Sequence, residues 1–140
     1  MRKSLNLRDI ARRREGLMKL QVLSGTYQLV KLESGAGIPA EVLEQEFFTI
    51  SRTSDELSII VSDSVRIESE YKEMGWRIIK FVESMDLSLI GITARIATVL
   101  AEKEVNMCAL ATYNTDYVLV KQERLGVAVG ALEKAGYEFI

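Results

Sequence analysis

The sequence predicts an α+β protein built of two tandem ferredoxin-like (βαββαβ) modules, with antiparallel sheets and the helices on one face. Three observations predict it. The segment Ile50–Val61 aligns without a gap on Leu110–Lys121 at a constant offset of 60, bringing Ile50 onto Leu110, Glu56 onto Asp116, Leu57 onto Tyr117 and Ile59 onto Leu119. The second half of the chain reads strand, helix, strand, strand, helix, strand, the order of a split βαβ fold. The first half follows the same order with shorter helices.

The elements come in turn from spacing and punctuation. Leu20–Leu23 and Tyr27–Leu32 read as strands around the turn residues Ser24 and Gly25. Pro39 suits the first turn of a short helix near 39–46. Phe47–Arg52 and Leu57–Ser62 are strands around a first polar knot, and a short helix or loop-helix is expected within 64–74. Trp76–Val82 alternates as a strand. Ile92, Ile96, Val99 and Leu100 share one face of a helix over roughly 91–104. Met107–Ala111 and Tyr117–Lys121 are strands, and Leu125, Ala128, Val129 and Leu132 mark a last helix stopped at Gly136. Tyr137–Ile140 closes the chain as a strand. The domain organisation expected is a basic extension over 1–17, a first module over 18–74 and a second over 75–140.

Composition narrows the function. The 140 residues are 48% hydrophobic and 27% charged, as in a globular protein. They include no histidine and one cysteine, Cys108. A Ser-His or Cys-His nucleophile, a His base and a conventional zinc site are thereby removed, so neither enzyme activity nor a metal or cofactor is expected. No apolar run is long enough to cross a bilayer, and no secretory leader is evident, so the expected compartment is the cytoplasm. Residues 1–16 carry six Lys/Arg against two acids, leaving twelve bases and eighteen acids in the remainder. An acidic body argues against a nucleic-acid backbone as partner, although the Arg-rich leader keeps that alternative open.

The most concentrated polar chemistry is the knot Thr112-Tyr113-Asn114-Thr115-Asp116 between two apolar runs. Asp116 could take an ammonium group, and the hydroxyls could orient a small zwitterion. The same residues also serve as an ordinary hairpin tip, because Asn and Thr are common in turns and strands. Gly91 opens a helix whose first amides could receive a carboxylate, or it is a plain turn. The loop before that helix and the hairpin are expected at opposite ends of one module. A pocket using both then requires two modules side by side, or a dimer.

Asp86-Leu-Ser-Leu-Ile-Gly-Ile-Thr-Ala-Arg-Ile-Ala-Thr-Val-Leu-Ala-Glu-Lys-Glu-Val-Asn106 resembles the loop-Gly-helix opening of ACT domains. Thr112–Asp116 with the following strand is similar to the tandem-ACT family that includes the cytosolic arginine sensors of the TOR pathway and many small bacterial proteins. Ile38-Pro39 and Phe48–Ser58 resemble the bacterial branch. The resemblance covers residues 18–140. It implies two ACT-like modules without catalysis, a free amino acid as ligand at an interface between modules, and Thr112, Tyr113 and Asp116 as contacts. It adds the loop Asp86, Leu89, Ile90, Gly91 and Ile92, with Asn114 in the knot. Leu89 stands where the arginine sensors have an acidic residue, which points to a smaller or neutral amino acid. A regulatory homodimer with an unidentified protein partner and no membrane attachment is the resulting expectation. A pure protein-interaction module with a vestigial pocket is the rival.

Overall fold

Period-two burial sets up the strands of a single eight-stranded hydrogen-bonded sheet. The structure, a computed structural model, describes residues 18–82 and 91–140, which fall into a smaller unit (24–77) and a larger unit (18–23 with 78–140). Strands and helices follow in the order β1 (Lys19–Val22), β2 (Tyr27–Leu32), α1 (Ala40–Leu43), β3 (Phe48–Arg52), β4 (Leu57–Ser62) and β5 (Tyr71–Val82). They continue with α2 (Ile92–Glu102), β6 (Met107–Ala111), β7 (Asp116–Lys121), a 3-10 turn (Gln122–Arg124), α3 (Leu125–Lys134) and β8 (Glu138–Phe139). No helix among the described residues is long and apolar enough to cross a membrane.

In the smaller unit the strand order is β3-β4-β2-β5, antiparallel throughout and using the first half of β5. Its core gathers Val30, Val42, Leu57, Ile59, Val61, Val65 and Ile67, so β2, β4 and α1 share one packed face. Residues 64–74, expected to hold a helix, contain none: 63–70 are turn and loop, and from Tyr71 the chain is strand. The reason is visible in the side chains. Val65 and Ile67 are both buried at a spacing of two, which suits extended backbone and not a helix. The loop is pinned from beneath by Gln28, fully buried, whose Nε2 donates to the carbonyls of Ser62 (2.9 Å) and Val65 (2.7 Å). Ser69 Oγ donates to the Lys31 carbonyl at 2.6 Å and fixes its far end.

The larger unit places β7 between β5 and β6, with β1 beside the second half of β5 and β8 outside β1. β1 runs antiparallel to β5, but β1 and β8 are parallel, which corrects the expectation of wholly antiparallel sheets. The cause is positional. In a closed βαββαβ unit the last strand would neighbour the first, whereas here β1 takes that place and β8 pairs on its far side. Both helices pack on one face: Ile92, Ile96, Val99 and Leu100 from α2 and Ala128, Ala131 and Leu132 from α3 join Leu20, Ile79, Phe81, Val118 and Val120 in one core. At the end of α3, Gly136 has φ 105° and the Tyr137 amide donates to the Leu132 carbonyl at 3.1 Å. α2 closes with the same bond, from Val105 to Leu100 at 3.0 Å, but with Glu104 at φ 55° in the turn position.

Candidate functional site

The two units each contain a four-residue hairpin loop of the same kind. Arg52 pairs with Leu57 across the first and Ala111 with Asp116 across the second. Thr53 N donates to the Glu56 carbonyl at 2.9 Å, and Thr112 N donates to the Thr115 carbonyl at 2.8 Å. Each threonine hydroxyl then braces its own turn. Thr53 Oγ1 accepts from the amides of Asp55 (3.1 Å) and Glu56 (3.2 Å), and Thr112 Oγ1 accepts from the Thr115 amide (3.2 Å) while donating to its carbonyl (3.0 Å).

Turn and register together fix the correspondence between the hairpins. Thr53 falls on Thr112, Glu56 on Thr115 and Leu57 on Asp116, an offset of 59 that replaces the 60 read from the sequence. The gapless alignment was misled by two carboxylates, Glu56 and Asp116, that occupy different positions of the turn. Core packing supports the corrected register. Phe48, Ile59 and Val61 face the core of the smaller unit, and their counterparts Met107, Val118 and Val120 face the core of the larger one.

Applied to the remaining inner-face positions, the correspondence exposes a local exchange of residues. Ile50 becomes Ala109, Arg52 becomes Ala111, and the fully buried Leu57 becomes Asp116. Removing that much side chain from the core face leaves a hollow of 150 Å³ lined by Thr93, Ala109, Leu110, Ala111, Asp116 and Tyr117. Thr93 belongs to the first turn of α2, so helix start and hairpin meet within one unit. The expectation that they lie at opposite ends is therefore corrected. In a split βαβ connection the two flanking strands run parallel, so the helix start and the following hairpin share the strands' carboxyl end.

Gly91 precedes α2 with φ 82°, a left-handed conformation that suits glycine, and makes no side-chain cap. Arg95 N donates to its carbonyl at 2.9 Å, while the first-turn amides have no acceptor within the helix. Ile92 is a core side chain, 6% exposed, and offers the site only its backbone. Tyr113 is fully exposed at the hairpin tip beside the exposed Asn114, and neither lines the hollow. Thr112 is committed to its turn. Asp86, Leu89 and Ile90 lie outside the described residues. Of the described residues singled out from sequence, Asp116 alone lines the hollow. Thr93, Ala109 and Ala111 were missed, because only the hairpin register shows that the alanines replace larger side chains.

Two larger hollows, of 350 and 490 Å³, lie in the smaller unit and share Lys31, Glu70 and Tyr71. Their walls mix Lys31 and Lys72 with Glu33, Asp55, Glu56, Glu70 and Glu73, and the Lys31 ammonium already sits 5.0 Å over the Tyr71 ring. Such walls are those of a solvated sheet face. Among the described residues no cluster of His, Cys, Asp or Glu could hold a metal ion.

A segment that begins at the start of β5 and ends with α3 contains the whole hollow. Residues 71–134 match the ACT domain family. A second family model, of an N-terminal domain, matches residues 25–68. The ACT match spans α2, both strands of the site hairpin and α3. A crystal structure of an Agobacterium tumefaciens protein is similar at 28% identity and TM-score 0.80, over 88% of this chain and 92% of that one. A Vibrio cholerae protein of unknown function is similar at 21% identity and TM-score 0.71, over 91% and 96%. The regulatory subunit of aspartate kinase from Thermus thermophilus shares the fold at 14% identity and TM-score 0.53, over 79% and 91%. No curated protein matches the chain.

Proposed function

We propose that the chain is a non-catalytic regulatory protein that binds a free amino acid in the hollow beside Asp116. One observation carries the reading: a carboxylate and two alanines stand on a core face where the matching hairpin has leucine, arginine and isoleucine. Asp116 is half-buried on that face beside Ala109, Ala111 and Tyr117, and a cationic ligand would give its carboxylate a physical role there. Asp116 would hold the ligand ammonium. The first-turn amides of α2, with the positive end of its dipole, would hold the carboxylate. The ACT match over 71–134 and a likeness in fold to the regulatory subunit of an aspartate kinase support regulation by a small molecule.

The same reading takes the chain as two tandem ACT-like modules, the first with a pinned loop in place of its second helix. Binding would shift an assembly or partner equilibrium, a homodimer being the simplest assembly. Isothermal titration with each of the twenty amino acids tests the proposal. Heat from at least one of them at or below millimolar concentration is expected, and its disappearance in Asp116→Asn. Silence across the panel refutes the reading.

A further inference from the structure

We infer that Ala109 sets which amino acids the hollow accepts, and that the accepted class has small side chains, from glycine to serine. This rests on the reading of Asp116 given above. Ala109 lies on the core face of β6, opposite the fully buried Val118 and one inward position along from Ala111, which pairs with Asp116. Its counterpart Ile50 is packed against the core of the smaller unit, opposite Ile59. An isoleucine at 109 would point into the 150 Å³ hollow and occupy much of it. The hollow therefore exists because this position is alanine.

Its size then limits the ligand. The hollow is open to solvent on one side, past the exposed Ala109 and Ala111, and its 150 Å³ is room for about six heavy atoms inside the wall. Alanine and serine are of that size, while leucine and arginine must leave part of the molecule outside. Among the described residues of the wall, Asp116 is the one carboxylate, and none of them forms a deep apolar recess for a branched side chain.

Wild type, Ala109→Ile and Asp116→Asn are titrated with glycine, alanine, serine, leucine and arginine, and the thermal midpoint of each protein is recorded. Wild type is expected to bind alanine or serine at least about tenfold more tightly than leucine or arginine. Ala109→Ile is expected to lose that binding with an unchanged or higher midpoint, since isoleucine suits a strand and fills space. Should that variant fail to fold, Ala109→Val carries the same prediction with a smaller loss. A wild type that prefers leucine or arginine overturns the size limit while leaving amino-acid binding at Asp116 standing. Undiminished binding in Ala109→Ile, with loss in Asp116→Asn, overturns the role of Ala109 alone. A wild type silent to all five but responding to another of the twenty amino acids overturns this inference alone, and silence to all twenty overturns the reading beneath it as well.

Discussion

The hairpin of the smaller unit and the hairpin of the larger unit share a turn, a bracing threonine and a register, yet they differ where they face the core. In the first, Ile50 and Leu57 complete a packed face, and Arg52 reaches across to donate to the Ala36 carbonyl at 2.7 Å. In the second, Ala109, Ala111 and Asp116 leave the face open beside the start of α2. Turn chemistry has been kept in both because it builds the hairpin. Core packing has been kept only in one, and the open copy lies in the segment that matches the ACT family. A fold can lose stabilising contacts at one copy of a repeat when that copy does something else.

The comparison breaks most easily by exchanging the residues. Leu57→Asp places an unpaired carboxylate in a fully buried position and should destabilise the smaller unit by about 3–5 kcal/mol in chemical denaturation. Asp116→Leu should change stability by less than about 1 kcal/mol, or raise it. Equal and large losses in both would show that the two positions are not alternatives of one site. Next in size is the pinned loop. Gln28→Leu abandons the Ser62 and Val65 carbonyls and should cost about 2–3 kcal/mol, with faster amide exchange of residues 63–70. If exchange there is unchanged, the glutamine is not what holds the loop.

The shared turns predict a smaller effect. Thr53→Ala and Thr112→Ala should each cost about 0.5–1 kcal/mol and by similar amounts, because each hydroxyl makes two hydrogen bonds within its turn. A loss confined to one of them would undo the pairing of the two threonines. Smallest is an alkaline effect confined to the smaller unit. Burial pushes the Tyr27 hydroxyl above its ordinary 10.0, with Glu46 acting in the same direction and Arg77 opposing. A raised folded value favours the neutral phenol in the native state. That stability is fully present below pH 10.0 and declines as pH rises through the folded value. Tyr27→Phe should flatten the decline seen in urea titrations at alkaline pH.

Much of this architecture is legible in the sequence because side-chain period follows backbone geometry. Strand β6 and the two long helices lie where apolar spacing puts them, and Gly136 stops α3 by taking the left-handed turn. The polar stretch 64–74, with Val65, Ile67 and Tyr71 as its apolar residues, suggests a short helix or loop-helix, whereas the burial of Val65 and Ile67 at a spacing of two belongs to extended chain. The parallel pairing of β1 and β8 has no local signal. It follows from β1 lying between β5 and β8, a pairing between residues far apart in the chain. Asp116 stood out as a carboxylate ahead of an apolar run. Ala109 and Ala111 did not, since alanines in a strand carry no chemistry until their register neighbours are known.

On the reading proposed above, Asp116 stands on the core face for a ligand and at a cost in packing. Asp116→Leu tests it most directly, by measuring the thermal midpoint and amino-acid affinity of one variant beside wild type. The expected midpoint equals or exceeds that of the ligand-free wild type, with no detectable amino-acid binding. A lowered midpoint with binding retained would contradict it.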